Sequence, residues 1–525
     1  MRGRFATQQE VTLQVKKLQD GPGRIELGCD DPNITPAVGL VTVAELDRVV
    51  GIRSRIDAVV GRLARPGARG RPYGAGDVVL GFAESQLAGG DFMVDVDSRR
   101  ADSAGAQLRA VSMPPASTTI ATLARRFAGK GLVRLALAVA GLVRAFFEIL
   151  PEAERARLAR IRPTLDVDPT EVETYGKRKE GFAWNYQGQW AGRPCPVVWA
   201  EAGLVLTAKL LQGNQDPRPP ARRLVRKALA ALPDGLGRAR FRFDSGFFDH
   251  HLAEVCLDAG ADYAMAVPRN QGFWTAVRAV AEDVWVPAKD MTDAEVAEAP
   301  YRPKCWPGAP RSILRRVRVD AADIKTDPRS RRLRTFDKAE LAAVREGRAD
   351  HAWSYSMIIT SLEGDLVDIE QWFRERAQVE ERLKDSKLGM ALRHLPSGYK
   401  VVNAVWMWSA FLALDVASVL SAFARAQQPD DVEDSEDLAG VAAADAATDR
   451  GLAQCAEGVS TTRRPRRRRP LRAHGKRLRR EIINVPGRLA HHARGLIVHL
   501  HPSQDGGPLV GVYAALVALR SYNGP

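Results

Sequence analysis

The chain has 525 residues, enough for about three or four domains at roughly 100–200 residues each. Hydrophobic residues make up 45% and charged residues 27%, which excludes a fibrous or wholly disordered chain. The 77 Lys and Arg against 63 Asp and Glu leave a net charge of +14 that favours a polyanionic partner, while five scattered cysteines without a Cys-x-x-Cys pair argue against a disulfide framework or a structural zinc site.

The first ten residues contain no apolar run, so no secretory signal is expected. Residues 1–150 read as mostly helical, with apolar residues at helical spacing over 41–50 and 77–87. Pro114-Pro115 is a stop, Ser117 and Thr118 offer a new hydroxyl cap, and the helix that follows carries Leu123, Arg125, Arg126 and Phe127. A basic helix after a short turn suits a DNA groove, although a solvated amphipathic face satisfies the same pattern and is the commoner case.

From about Ile161 the period changes to that of strands. The runs 164–168, 197–211, 241–243 and 263–267 read as strands, with a helix over 249–258 ended by Gly260 between the last two. That strand–helix–strand unit predicts parallel pairing and an α/β fold. Residues 270–350, with turns at Pro303 and Pro307 and a basic strand at 315–319, read as a mainly β insertion, after which the core resumes over 351–427. A strand at 353–361 and a long helix from about Ile369 to Leu388 are expected there. The apolar run 401–424 is long enough to span a membrane, but Asn403 and Asp415 within it favour a helix buried in a soluble core.

Residues 429–449 hold eight Asp or Glu and no Lys or Arg, whereas 463–480 hold eleven Arg or Lys. Such blocks predict a disordered acidic linker and a loosely ordered basic segment over 428–480, leaving 481–525 as a small terminal element.

Three acids stand out by context. Asp168 follows Leu165-Asp166-Val167 and precedes Pro169, at the rim where open α/β sheets bind ligands. Asp244 follows Phe241-Arg242-Phe243 and precedes Ser245-Gly246. Alone, each is equally an ordinary turn or helix cap; two at strand ends of one predicted sheet suggest a site. Glu380 lies on the predicted helix 369–388. At about 100° per residue, Phe373, Arg376, Glu380, Lys384 and Lys387 form one stripe, beside an apolar stripe of Trp372, Val379 and Leu383. A surface helix laced with ion pairs would also be charged, but would not usually place one acid among three cations beside an apolar stripe. Carboxylates on three separate elements suit Mg²⁺ or Mn²⁺, and two such ions can clamp an in-line phosphoryl displacement.

These residues resemble the DDE transposases of bacterial insertion sequences, of the IS-four and IS-thirteen-eighty type. Phe373, Arg376, Glu380 and Lys387 have the spacing of that family's YREK helix, with Phe in place of Tyr. Asp168-Pro169-Thr170 and Asp244-Ser245-Gly246-Phe247 match the contexts of its first and second Asp. The resemblance implies an RNase H-like core interrupted by a β insertion and preceded by a helical end-binding region. It also implies two Mg²⁺ or Mn²⁺ ions held by Asp168, Asp244 and Glu380, and DNA contacted by Phe373 through its ring, by Arg376 and Lys387 at phosphates, and by Lys384 as a helper. The implied reaction is cut-and-paste transposition in the bacterial cytoplasm, by a homodimer acting on the terminal inverted repeats and a target duplex, with no membrane partner. Two other readings remain open: an inactivated relative that only occupies DNA ends, against which the three intact acids speak, and a metal-dependent nuclease of the same fold.

Overall fold

The computed structural model describes residues 30–61, 63, 73–185, 187–327, 329–376, 385–427, 475–493 and 495–522. Alternation over Thr164-Leu165-Asp166-Val167 builds β1 (Thr164–Val167), buried on both faces. Beside it run β2 (Trp190–Trp199), β3 (Leu204–Gln212), β4 (Arg240–Phe243) and β5 (Asp262–Ala266). The order is β3-β2-β1-β4-β5, with β2 antiparallel to both neighbours and β1, β4 and β5 mutually parallel. This is the mixed sheet of an RNase H-like core. Helix α4 (Arg218–Ala231) links β3 to β4, and α5 (His250–Asp258) links β4 to β5.

The sequence expectation of one strand over 197–211 is corrected to the two arms of a hairpin. Both arms are apolar because both are buried, so hydropathy alone runs through the turn. Gly203, at φ 66°, makes that turn, and its N–H donates to the Trp199 carbonyl at 2.8 Å.

Strands β6 (Ala294–Glu298), β7 (Arg311–Asp320) and β8 (His351–Thr360) do not form a separate body. β8 pairs with β5 on one side and along its whole length with β7 on the other, so the inserted strands extend the core sheet. The sheet reaches eleven strands among the described residues.

On the core side, α1 (Leu40–Val50), α2 (Ala75–Leu87) and α3 (Lys130–Ile149) share one continuous apolar cluster with β1, β2 and β4. Between α2 and β3 runs the 27-residue helix Lys400–Ala426, whose apolar window is wholly buried. The Phe82 and Trp406 rings meet edge to face at 5.2 Å. The polar residues of this helix have partners in the core. Asp415 accepts the Val205 N–H at 2.7 Å, and Ser418 donates to the Gly203 carbonyl at 2.9 Å. Asn403 closes the preceding loop through Ser397.

Two local expectations are corrected. The helix Ser117–Ala124 has no hydroxyl cap; the Asp97 carboxylate accepts the Ser117 N–H at 2.9 Å instead. The basic segment 463–480 is not solvated throughout. Within 475–480, Gly475 and Leu478 are buried and Arg479 donates to the carbonyls of Leu87 (2.9 Å), Gln86 (3.0 Å) and Gly389, while Lys476 and Arg480 are exposed. A guanidinium there caps the C-terminal carbonyls of α2. Residues 428–474, including the acidic linker and most of the Arg run, lie outside the described residues. The C-terminal element adds a hairpin, Gly487–His492 with Gly495–Leu500, to Ile34–Thr35, and a helix Pro508–Tyr522.

Glu84 in α2 is buried and accepts the Ala110 and Val111 N–H groups at 2.8 and 3.3 Å. Burial pushes its carboxyl up to about 7. A raised folded value means that its contribution is fully present below the ordinary carboxylate range and lost as pH rises through about 7. Wild type is therefore expected to lose about 2 kcal/mol relative to Glu84→Gln between pH 5 and pH 8. Thermal melts across that range check this; parallel pH profiles for the two proteins would contradict it.

Candidate active site

β1 and β4 pair in parallel with Val167 opposite Phe243, so the next residues, Asp168 and Asp244, leave the sheet side by side. Neighbouring strands lie about 4.8 Å apart, which brings the two carboxylates to one edge. Pro169 ends the first strand, and the Thr170 N–H then donates to the Pro194 carbonyl on β2 at 2.8 Å. After β4, Asp244 caps a single 3-10 turn, Ser245–Phe247, its Oδ1 accepting the Gly246 N–H at 2.9 Å. Buried Phe247 anchors that turn. The buried Cys195 thiol on β2 is pushed up by burial and then by the charges of both Asp168 and Asp244, an independent sign that the two acids share one neighbourhood.

Arg376 reaches this edge from the turn that follows α6 (Leu366–Arg374). Asp365 caps α6, accepting from the N–H groups of Val367 and Asp368. The helix is tied to β7 by Arg315–Glu370 at 2.6 Å and to a turn of the inserted segment by Lys289–Asp368 at 3.1 Å. The expected run over 369–388 is corrected at both its start and its continuity. The helix starts at Leu366 and its α-helical run ends at Arg374, where the Arg376 N–H turns back to the Phe373 carbonyl at 3.1 Å. Arg376 Nη2 meets Asp168 Oδ1 at 2.8 Å, both side chains largely shielded. Phe373 is partly buried against Ile313, Ile358, Ile369 and Trp372. Lys387 is half-buried; burial pulls its ammonium down and the charges of Glu171 and Asp168 push it back up. The structure thus brings Asp168, Asp244, Arg376 and Lys387 to one edge. Glu380 and Lys384 lie outside the described residues.

A second basic group flanks the carboxylates on the β2–β3 side. Lys209 is the cross-strand partner of Cys195. Burial pulls its ammonium down, and the like charges of Arg223, Lys400 and Lys227 add to this, so four cations from three elements share this flank. Among the described residues no carboxylate forms an ion pair with any of them. Arg222 is different, being paired with Asp249 at 2.8 Å.

Several neighbours of the site escape the sequence pattern. Glu171 pairs with Arg193 at 2.8 Å, and buried Asp166 pairs with Arg242. The only signal for the second pair is parity: Asp166 and Arg242 each stand two residues before a rim aspartate. His250-His251 and His491-His492 form no metal cluster; His251 faces Glu254 and His491 faces Gln107. No group of three or more His, Cys, Asp or Glu capable of holding a metal occurs among the described residues. A hollow of about 630 Å³ lined by Asn270, Thr275, Tyr301 and Arg302 lies on the inserted side, and neither Asp168 nor Asp244 lines it. Cys195, Cys256 and Cys305 are free thiols.

No curated protein matches the chain. Among solved structures it is similar to a piggyBac transposase synaptic complex with hairpin DNA determined by cryo-electron microscopy, at 10% identity over 74% of each chain with a TM-score of 0.35. The family model described as "Transposase DDE domain group 1" matches residues 19–433, a span that holds the mixed sheet, both rim aspartates and Arg376. Matched over most of its length, the chain belongs to the DDE transposase domain family.

Proposed function

We propose that the chain is an active transposase of the bacterial insertion-sequence type. It cleaves the phosphodiester at the ends of its element and joins the freed 3′-hydroxyl to target DNA. One observation carries this reading: parallel pairing of β1 with β4 sets Asp168 beside Asp244, with Arg376 of the signature segment already on Asp168. Hard oxygen donors at one sheet edge fit divalent cations such as Mg²⁺ or Mn²⁺. Asp168, Asp244 and Glu380 would hold two such ions, which when bound supply a more acidic attacking water and a stabilised leaving oxygen.

The remaining roles belong to the chain itself. Arg376 and Lys387 grip phosphates next to the scissile bond, with Lys384 as a further cation and Phe373 as an apolar surface for the strand. Lys209, Arg223, Lys227 and Lys400 extend this positive track across the other flank, where contacts to the backbone fix register and carry no base information. A homodimer in the cytoplasm would hold two ends and a target duplex at once.

A donor plasmid carrying the element's ends, incubated with the purified full chain, Mg²⁺ and a target plasmid, tests the reading. Excised element joined to target is the expected product. Cleaved ends that never join would establish the nuclease reading instead, and bound but uncut ends the inactive relative.

A further inference from the structure

Beneath the rim lies a buried ion pair that none of these roles uses. Arg242 Nε donates to Asp166 Oδ1 and Nη2 to Oδ2, both at 2.7 Å, and the two side chains are 2% and 0% exposed. The third guanidinium nitrogen, Nη1, donates to the main-chain carbonyl of Trp372 at 2.5 Å. That carbonyl belongs to the last turn of α6, where the helix offers no partner of its own. The Trp372 ring lies 4.5 Å from the Arg240 guanidinium and 5.4 Å from that of Arg242, and its Nε1–H donates to Thr164 Oγ1 at 3.0 Å.

The positions of the three partners matter more than the contacts. Asp166 is two residues before Asp168, Arg242 two before Asp244, and Trp372 four before Arg376 and eight before Glu380. One guanidinium therefore ties together β1, β4 and α6, the elements that lead to Asp168, Asp244 and Arg376. Stability alone does not require charge here, since a well-packed apolar pair in such a place is often as stable or more so. What an apolar pair cannot do is donate to a helix-end carbonyl while holding a carboxylate in a fixed fork.

We infer that Asp166 and Arg242 are positioning residues that set the end of α6 against β1 and β4, and so fix where the turn after α6 delivers Arg376 to Asp168. The inference rests on the proposed transposase reading for its catalytic consequence, but not for the structural tie itself.

The test uses the full chain with the double replacement Asp166→Leu/Arg242→Met, and separately Arg242→Lys. The double variant should melt near wild type and bind end DNA equally well, yet cleave about 100-fold more slowly, the scale of a small misplacement of reacting groups. Amide exchange over residues 370–376 should quicken by about tenfold as the helix end is released. Arg242→Lys keeps a cation without the fork; it should fold and bind normally and cleave at an intermediate rate. If either variant cleaves at the wild-type rate, or if exchange at the helix end is unchanged in the double variant, the positioning role is overturned. A wild-type chain that does not cleave would remove the transposase reading, while the exchange comparison would still decide whether the pair anchors the helix.

Discussion

Asp244→Asn is expected to abolish cleavage at the element's ends, by at least about 10³-fold, while end binding stays within about twofold. The substitution keeps the shape of the side chain. Asparagine Oδ1 can still accept the Gly246 N–H, so the 3-10 turn Ser245–Phe247 and its buried Phe247 anchor should persist. Only the negative charge beside Asp168 is lost, and with it a donor for a divalent cation. About 4 kcal/mol of transition-state stabilisation corresponds to the expected factor. Glu380→Gln should give the same loss. Asp249→Asn is the control, because Asp249 pairs with Arg222 on the same stretch of chain and has no place at the sheet rim. Cleavage and gel-shift assays on one end duplex in Mg²⁺ decide the matter. An Asp244→Asn protein that cuts at even a tenth of the wild-type rate would remove Asp244 from the catalytic centre.

What the sequence reveals of this site follows from how each part is encoded. Asp168 and Asp244 are legible because each stands where an apolar alternation stops, beside Pro169 in one case and Gly246 in the other. A sheet edge is written in the sequence as such a stop. The helix Lys400–Ala426 is legible for the opposite reason, an unbroken apolar run with too many polar residues for lipid. The hairpin within 197–211 is not legible from hydropathy, because its four-residue turn sets only one charged residue, Glu201, and Gly203 between two buried apolar strands. The end of α6 is equally hidden. Periodicity continues through Arg374, and what the chain does there depends on distant partners, Asp168 for Arg376 and Arg242 for the Trp372 carbonyl. Arg479 sits in an arginine run whose composition reads as solvated, and only its three carbonyl partners distinguish it from its neighbours. Local pattern identifies elements and those ends that Pro or Gly marks; pairings between elements far apart in sequence set the other ends and the geometry of the site.

Arg376→Gln separates two effects of opposite sign. In the structure this guanidinium faces Asp168 at 2.8 Å, so it competes with any cation for that carboxylate. In the proposed reaction it turns to a phosphate near the scissile bond. Removing it leaves the rim more negative, and the Mg²⁺ concentration for half-maximal cleavage should fall severalfold. At saturating Mg²⁺ the rate should nevertheless drop about 10–100-fold, because a charge-assisted hydrogen bond to phosphate of about 1.5–3 kcal/mol is lost. Arg376→Lys should recover much of the rate, since an ammonium can still meet a phosphate, but not the fixed Nη2 contact to Asp168. The two readouts are independent. A raised Mg²⁺ requirement in Arg376→Gln would mean that the arginine holds Asp168 in its ligating position and does not compete for it. An unchanged rate at saturating metal would show that the phosphate contact is made elsewhere, with Lys384, Lys387 and the Lys209 flank the next cations to replace.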